Sequence, residues 1–345
     1  MDIRAAAAEP SNAPLAGGIG SRTIMLLAVA LVGAVVAALM AAYGPSAFAV
    51  KLMKFTASRW DAVISPYAGV YLGGIGIVLV VEVFVLGYRQ SSIYRLLHPT
   101  QSTWMDVFCF AIDFLKVAGV FMTIFSLGLA DVALKAIGRV TPQGVLVLEN
   151  PILQTVVIFV VIDFLKYWMH YFQHIWGFWW EAHKFHHAAT EFNVITTTRG
   201  HPLDSAMRIV FLAVPTALLG GTGDQFLFLS LLLSMHSGLT HSMINWDFGW
   251  VGRWVLMSPV THRIHHSDMP EHFEKNMGSV FIIWDRLFGT YYDGQTVNPT
   301  VNVSDNFYNH KGLLYDLLAC PWAVLRTIGR LPRRLLARQA LPPAE

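Results

Sequence analysis

The sequence predicts an all-α integral membrane protein, with four transmembrane helices plus a shorter helical hairpin, capped by a cytosolic histidine-rich helical region. Three observations carry that expectation. Of 345 residues, 54% are hydrophobic and only 13% charged, about half the charged share of an ordinary soluble domain. Apolar runs long enough to cross a bilayer recur through the first half of the chain. Eleven of the fourteen histidines fall between His170 and His266, just past the last long run.

Residues 1–20, rich in Ala, Pro and Gly, are expected to be a disordered tail. Residues 21–149 should hold the first transmembrane helices. Ile24–Ala42 carries no charge; its length, and the spans that follow, favour a membrane helix over a cleaved leader. A second span is expected over Tyr67–Tyr88 with Glu82 inside it, and a third over Trp104–Leu129. The third contains Asp113 and Lys116, which are spaced to pair on one helix face. A fourth runs over Val145–Tyr167. Two shorter apolar pieces follow, Ala206–Leu219 and Phe226–Met235, separated by Gly220-Gly221-Thr222-Gly223-Asp224. They read as a tight helical hairpin or a re-entrant pair. Residues 293–345 form a C-terminal tail. Its stretch Leu318–Leu341 mixes leucines with arginines and reads as an amphipathic helix on anionic lipid, or as a solvated tail.

Net charge is only +2, so nucleic acid is not expected as a partner. Basic residues in short loops orient the chain. With the N-terminus in the cytosol, Arg89, Arg95 and the arginines of the tail lie inside, Lys51, Lys54, Arg59, Lys135 and Arg139 fall outside, and the tail's arginines settle the balance. Residues 170–205 and everything after 246 then face the cytosol as well. Cys109 and Cys320 sit in unlike surroundings and are not expected to form a disulfide.

The chemistry lies in residues 150–292. The histidines there read His170-x3-His174, His183-x2-His186-His187, His236-x4-His241 and His262-x2-His265-His266, with His201 alone. Residues i, i+3 and i+4 of a helix share a face. The first, second and fourth clusters therefore each present their rings on one side. His236 and His241 would diverge by about 140° on a regular helix. Either the helix ends or bulges there, or only one of them is a ligand, with His236 and His201 as alternatives for one position.

Imidazole suits iron, zinc and copper, and does not suit magnesium or calcium. Ten rings exceed what one ion can hold, so two ions are expected. The zinc peptidase motif HExxH is absent, haem needs one or two axial histidines, and a transporter would hold its ion near the bilayer midplane. Two irons that bind and reduce O2 fit best, and zinc could replace them in an isolated preparation. Neutral imidazoles leave the ionic charge uncompensated, so oxygen ligands or carboxylates should lie close by. Asp163, Glu181, Glu191, Asp268 and Glu271 are candidates by proximity. Asp163, two turns before His170, is the best orienter, with a salt bridge to Lys166 as the competing role.

These clusters resemble the fatty acid hydroxylase/sterol desaturase superfamily, in which HxxxH, HxxHH, a separate histidine segment and a second HxxHH recur in order. The stretches Asp163–His170, Ser258–His266 and Asn276–Thr290 are similar too, so the likeness covers roughly residues 150–292. It implies a cytosol-facing di-iron centre capping a helical membrane domain with a lipid tunnel. It also implies O2 as cosubstrate and electrons from a separate donor protein or reductant, a tetrahydropterin among the candidates. The implied activity is hydroxylation of a lipid C–H bond (ether lipid, sterol, amino lipid or acyl chain), with desaturation by the same centre as the alternative. A non-redox metal-binding or transport protein is the rival from another class. The His236/His241 spacing, with Asn193, Thr197 and Arg199, looks closest to alkylglycerol monooxygenases. Bacterial lipid hydroxylases share much of the pattern, whereas His201-Pro202 is more typical of the sterol desaturase branch. The expected site is therefore His170, His174, His183, His186, His187, His236, His241, His262, His265 and His266, with His201 as an alternative. Asp163, Asn193 and Asn276 are expected as supporting residues, and the expected location is a bacterial inner membrane.

Overall fold

A computed structural model describes residues 65–115, 148–220, 223–294 and 300–339, with scattered positions between 37 and 54 and between 136 and 145. Eleven helices and no β-strand occur among the described residues. They are α1 (Pro66–Leu86), α2 (Ser92–Leu97), α3 (Gln101–Phe114), α4 (Pro151–Ile175), α5 (Gly177–His187), α6 (Pro202–Leu219), α7 (Gly223–Thr240), α8 (Gly249–Trp254), α9 (Pro259–His265), α10 (Ile283–Phe288) and α11 (Leu313–Gln339). A 3-10 turn, Val194–Thr198, sits between α5 and α6.

Among the described residues two helices are long and apolar enough to cross a membrane, Ala68–Leu86 within α1 and Pro151–Ile175 as α4. Most of their apolar surface is uncovered by protein. Phe84 is 85% exposed and Ile152 74%, which water would penalise and lipid would not. Both helices start on a capping side chain followed by proline: Ser65 accepts from Ala68 N–H, and Asn150 accepts from the N–H groups of Ile152 and Leu153. Proline at the first helical position gives up an N–H that had no partner anyway.

The expected spans meet the structure unevenly. Ile24–Ala42 lies largely outside the described residues, and so does the tail 1–20. Of Trp104–Leu129 only residues 104–115 are described. The fourth span begins later and runs further than expected, because Asn150 caps it and the helix continues unbroken through His174. The two shorter pieces are the helices α6 and α7, but they part company. α6 packs on α4 and α5, while α7 packs on α1, α9 and the 194–198 turn. Small residues allow the second approach. A Cβ at Gly74 of α1 would lie 2.8 Å from Ser234 Oγ of α7, and one at Gly238 would lie 3.0 Å from Val194 Cγ1.

The C-terminal helix starts earlier than expected and is docked. Tyr315, Ala319, Cys320 and Val324 fall at helical spacing and are buried in a cluster with Trp179, Ala182 and Phe185 of α5. Trp322, Leu325 and Ile328 remain exposed on the other side. Both cysteines are free and buried.

Candidate metal centre

Helix geometry delivers the histidines. His170 and His174 lie one turn apart near the end of α4. The chain turns at Trp176 into α5, which carries His183, His186 and His187. α9 begins at Pro259, capped by Ser258 Oγ accepting from Thr261 N–H at 3.1 Å, and presents His262 and His265, with His266 at its end. Arg263 leaves the opposite side of α9 and donates to Asn245 Oδ1 and to the carbonyls of Ser242 and Ile244. That clamps α9 to the segment following α7. His241 stands just past the last residue of α7.

Three overlapping groups result. His170, His174, His183 and His187 form one, His186, His241, His262 and His266 a second, and His187, His265 and His266 a third. Within each group, one potential ligand atom per residue lies within 4.8 Å of the others. Nine histidines are involved. His265 Nε2 is 3.1 Å from His170 Nε2, His262 Nε2 is 3.1 Å from His241 Nε2, and His241 Nε2 is 3.4 Å from His186 Nε2. Two nitrogens each about 2.1 Å from one metal ion and at right angles would stand about 3 Å apart, so the spacing fits ligation.

The hydrogen bonds fix which nitrogen is offered. A carbonyl can only accept, so a ring nitrogen bonded to one carries the proton. The Nδ1–H of His170 donates to Met277 O, that of His186 to Arg199 O, that of His265 to Lys275 O and that of His241 to Ser237 O, each at 2.8 Å. His183 Nδ1 lies 3.4 Å from Asp204 Oδ2. In these rings Nε2 is left with its lone pair towards the shared interior, the arrangement that orients imidazole ligands in metal sites. Nε2 of His174, His183, His187 and His266, with Nδ1 of His262 and His266, is buried without a hydrogen-bond partner. Such groups are costly unless something binds them, and the donor set fits a pair of metal ions.

Electrostatics keep the rings in ligand form. Burial first, and neighbouring histidines next, push His186, His187, His262 and His266 well below the usual histidine range. Burial takes His265 to about 3 against its bond to Lys275, and His241 to about 4 against its bond to Ser237. Neutral imidazole is the form that binds metal.

Two expected histidines lie elsewhere. His201 caps α6, with Nδ1 accepting from Leu203 N–H at 3.1 Å and Nε2–H donating to Leu317 O at 2.8 Å. Both nitrogens are spent, so none remains for a metal. His236 donates from Nε2 to Met257 O at 2.9 Å and joins none of the three groups. Its separation from His241 follows from five residues of regular helix, which turn the two rings apart.

The expected carboxylates make other contacts. Asp163 does not touch His170 and makes no ion pair with Lys166. Its oxygens accept from the N–H groups of Val280 and Phe281 and from Trp284 Nε1 at 2.9–3.0 Å. It thereby anchors the loop whose Met277 carbonyl holds His170. Asn276, at φ 57°, donates to Thr261 O and accepts from Tyr292 N–H, pinning the same loop to α9. Asn193 caps the 194–198 turn and donates to Asp106 Oδ2 at 2.7 Å. Glu181 pairs with Lys184, and Glu191 accepts from Thr100 and Thr103. None of the five proposed carboxylates belongs to a metal-capable group among the described residues.

The carboxylate at the centre is Asp204, which sequence reasoning passed over. It accepts from Gln173 Nε2 at 2.7 Å and Trp179 Nε1 at 3.0 Å, and faces His183 and Arg208. Burial opposes its ionisation, but Arg208, His183 and Gln173 outweigh that and bring it to about 2. Its position three residues after His201 was the available signal. A second unforeseen element is the buried pair Arg199–Asp106, at 2.9 Å. Arg199 also donates to Phe185 O, Ser102 O and Asn309 Oδ1, which fixes the carbonyl that holds His186.

Residues 155–290, the stretch that carries all nine rings, match the family model for fatty acid hydroxylase. That stretch is a fatty acid hydroxylase domain. An ornithine lipid hydroxylase of Rhizobium tropici is 26% identical over 266 residues, 72% of this chain and 78% of that protein. Human alkylglycerol monooxygenase is 30% identical over 133 residues, 39% of this chain and 29% of that protein. A putative methylsterol monooxygenase of Dictyostelium discoideum is 24% identical over 290 residues, 77% of this chain and 96% of that protein. The chain thus spans less than a third of the human alkylglycerol monooxygenase it matches. No solved structure matches it. The relatives of the hydroxylase domain are lipid hydroxylases and monooxygenases, and its paired histidine groups fit a two-metal site.

Proposed function

We propose that the protein is an O2-dependent di-iron hydroxylase that oxidises a C–H bond of a membrane lipid. One observation carries the reading. Nine imidazoles from four segments converge in a hydroxylase domain, and most of those with a resolved partner have Nδ1 tied down and Nε2 facing inward. We assign His170, His174, His183, His187 and His265 to one ion, and His186, His241, His262 and His266 to the other. The two irons, when bound, supply the electron-transfer chemistry with O2 that saturated carbon requires.

The chain's own contribution is positioning and exclusion of water. The carbonyls of Met277, Arg199, Lys275 and Ser237 hold four rings in one tautomer. Trp180 packs against His174 and His187, at ring-centroid distances of 5.0 and 5.4 Å, and Phe192 lies 4.9 Å from His266. These rings close two sides of the centre to water. The C-terminal ends of α1 and α4 both lie at the level of the histidines, since Glu82 near the end of α1 accepts from Met243 N–H beside His241. Arg89 and Arg95 follow the end of α1 on that side, which supports a cytosol-facing centre by the positive-inside rule. We place the protein as a multi-pass protein of a bacterial inner membrane, supplied with electrons by a separate protein or reductant.

Purified iron-loaded protein, given lipid, a reductant and isotopically labelled O2, should return a lipid alcohol carrying the label. An alkene with no label would make the enzyme a desaturase. Unchanged lipid despite bound, reduced iron would favour a non-redox metal-binding protein.

A further inference from the structure

α10 leans on α4 well before the histidines. The rings of Trp284 and Phe164 meet edge to face with centroids 5.0 Å apart, and Phe288 packs on Tyr167 and Trp168 at 5.3 and 4.9 Å. Phe281, just ahead of α10, meets Phe159 at 5.4 Å. By the rise of a helix, Phe159, Phe164 and Trp168 lie about 12, 20 and 26 Å along α4 from Pro151. A hydrocarbon layer that begins with the exposed apolar first turn of α4 is roughly 30 Å thick. All of these contacts fall inside it.

The far side of this segment is uncovered. Leu287 is 63% exposed and Trp250 64%, and Trp254, Ile283 and Phe288 are exposed as well. α8 and α10 are tied into one body. A single antiparallel bridge joins Leu256 to Phe281, and Ile282 N–H donates to Val255 O at 3.0 Å. Arg286 Nε–H donates to Arg253 O at 3.0 Å, and its guanidinium lies 4.4 Å over the Trp254 ring. Five large apolar side chains on two short helices would be a liability in water, whereas tryptophan is enriched where lipid meets water.

The backbone between the two helices suits the same surroundings. Non-helical chain at membrane depth must find its hydrogen bonds within the protein. The N–H groups of Val255 and Leu256 donate to Val251 O, that of Met257 to Val280 O and that of Ile282 to Val255 O. Those of Val280 and Phe281 are taken by the buried carboxylate of Asp163. A loop standing in water could draw the last two bonds from solvent; here a spanning helix supplies an acid for them.

We propose that α8, α10 and the bridge between them enter the lipid layer beside α4, with Trp250, Trp254, Ile283, Leu287 and Phe288 against lipid. The proposal rests on α4 as a spanning helix and is independent of the oxygen chemistry. The bilayer is the occupant rather than a second copy of the chain, because the patch flanks a helix already in lipid, over its last turns before the histidines. Residues 249–257 and 280–288 thus form a wedge in the lipid nearest the metal centre. The stretch between them, with Glu271 and Glu274 exposed, reaches water.

The test uses full-length protein in phosphatidylcholine vesicles, carrying a nitroxide on one introduced cysteine at a time. Leu287→Cys and Trp250→Cys report on the wedge, Val156→Cys on the exposed lipid face of α4, and Glu271→Cys on water. The unsubstituted chain, whose two cysteines are buried, gives the labelling background. Each label is scored by its collisions with O2, which concentrates in lipid, relative to those with a water-soluble nickel chelate. The ratio at Leu287→Cys and at Trp250→Cys should lie closer to that at Val156→Cys than to that at Glu271→Cys. A ratio of the Glu271→Cys kind at either position would overturn the proposal and put the face in water. Labels shielded from both colliders would also overturn it, and would assign the face to a protein partner such as a second copy of the chain. An aqueous ratio at Val156→Cys would sink the placement of α4 in the membrane and the wedge with it. A lipid ratio there with aqueous ratios at the other two sinks the wedge alone.

Discussion

Replacing Asp204 by asparagine perturbs a carboxylate that four donors share. The amide can keep one oxygen for Gln173 and Trp179, which approach Oδ1 at 2.7 and 3.0 Å. Its NH2 then faces His183 Nδ1 and Arg208 Nε, at 3.4 and 3.5 Å from the lost oxygen. His183 would lose the acceptor that holds its proton on Nδ1 and leaves Nε2 for metal. Loss of such an outer partner weakens metal binding by about 10- to 100-fold, or about 1.4–2.7 kcal/mol. The long His183–Asp204 contact places the effect near the lower limit. Titration of loaded protein with a competing chelator measures it. One of the two ions should leave about tenfold more readily, while the ion assigned to His186, His241, His262 and His266 is held as before. If both ions are held as in the wild type, Asp204 does not orient His183 and the assignment of roles around the first ion is wrong.

Other consequences follow from the same geometry. His201→Ala and His236→Ala should each retain both ions, measured as metal per chain, because neither ring joins the clusters; loss of an ion in either would place that ring back in the site. Asp106→Ala strands Arg199 in a site where both side chains are fully buried. It should cost about 3–5 kcal/mol, seen as a lowered melting temperature, and a change below about 1 kcal/mol would show that the pair is not integral to the core. The metal-free protein should be most stable above pH 6.5 and lose stability as pH falls towards 4. His241 and His265, at about 4 and 3 when folded against 6.5 when unfolded, take up protons first in the unfolded chain, so acid favours unfolding. A melting temperature that rises on acidification through that window would contradict the burial of neutral rings.

The sequence made the histidine boxes legible because helical spacing alone puts His170 with His174, and His183 with His186 and His187, whatever the tertiary packing. The same rule marked His236 and His241 as an ill-matched pair, and the structure sends them in different directions. Spacing could not choose between them, since that depends on α7 ending at Thr240. The partners that orient the rings were illegible for another reason. Met277, Arg199, Lys275 and Ser237 act through backbone carbonyls, which every residue has. Spacing puts Asp163 two turns before His170 as a candidate orienter, and its oxygens reach the loop at Val280 and Phe281 rather than the ring. Asp204 is illegible in the sequence because it lies 21 residues from the His183 it faces. The docking of α11 depends on Tyr315, Ala319, Cys320 and Val324, a stripe less conspicuous in the sequence than the arginines beside it.

Metal content of the purified protein, compared with that of a variant carrying both His186→Ala and His265→Ala, tests the central claim most directly. The account predicts two ions per chain in the wild type and loss from both positions in the double variant, since His186 and His265 are assigned to different ions. A single ion in the wild type, or two ions retained in the double variant, would contradict it.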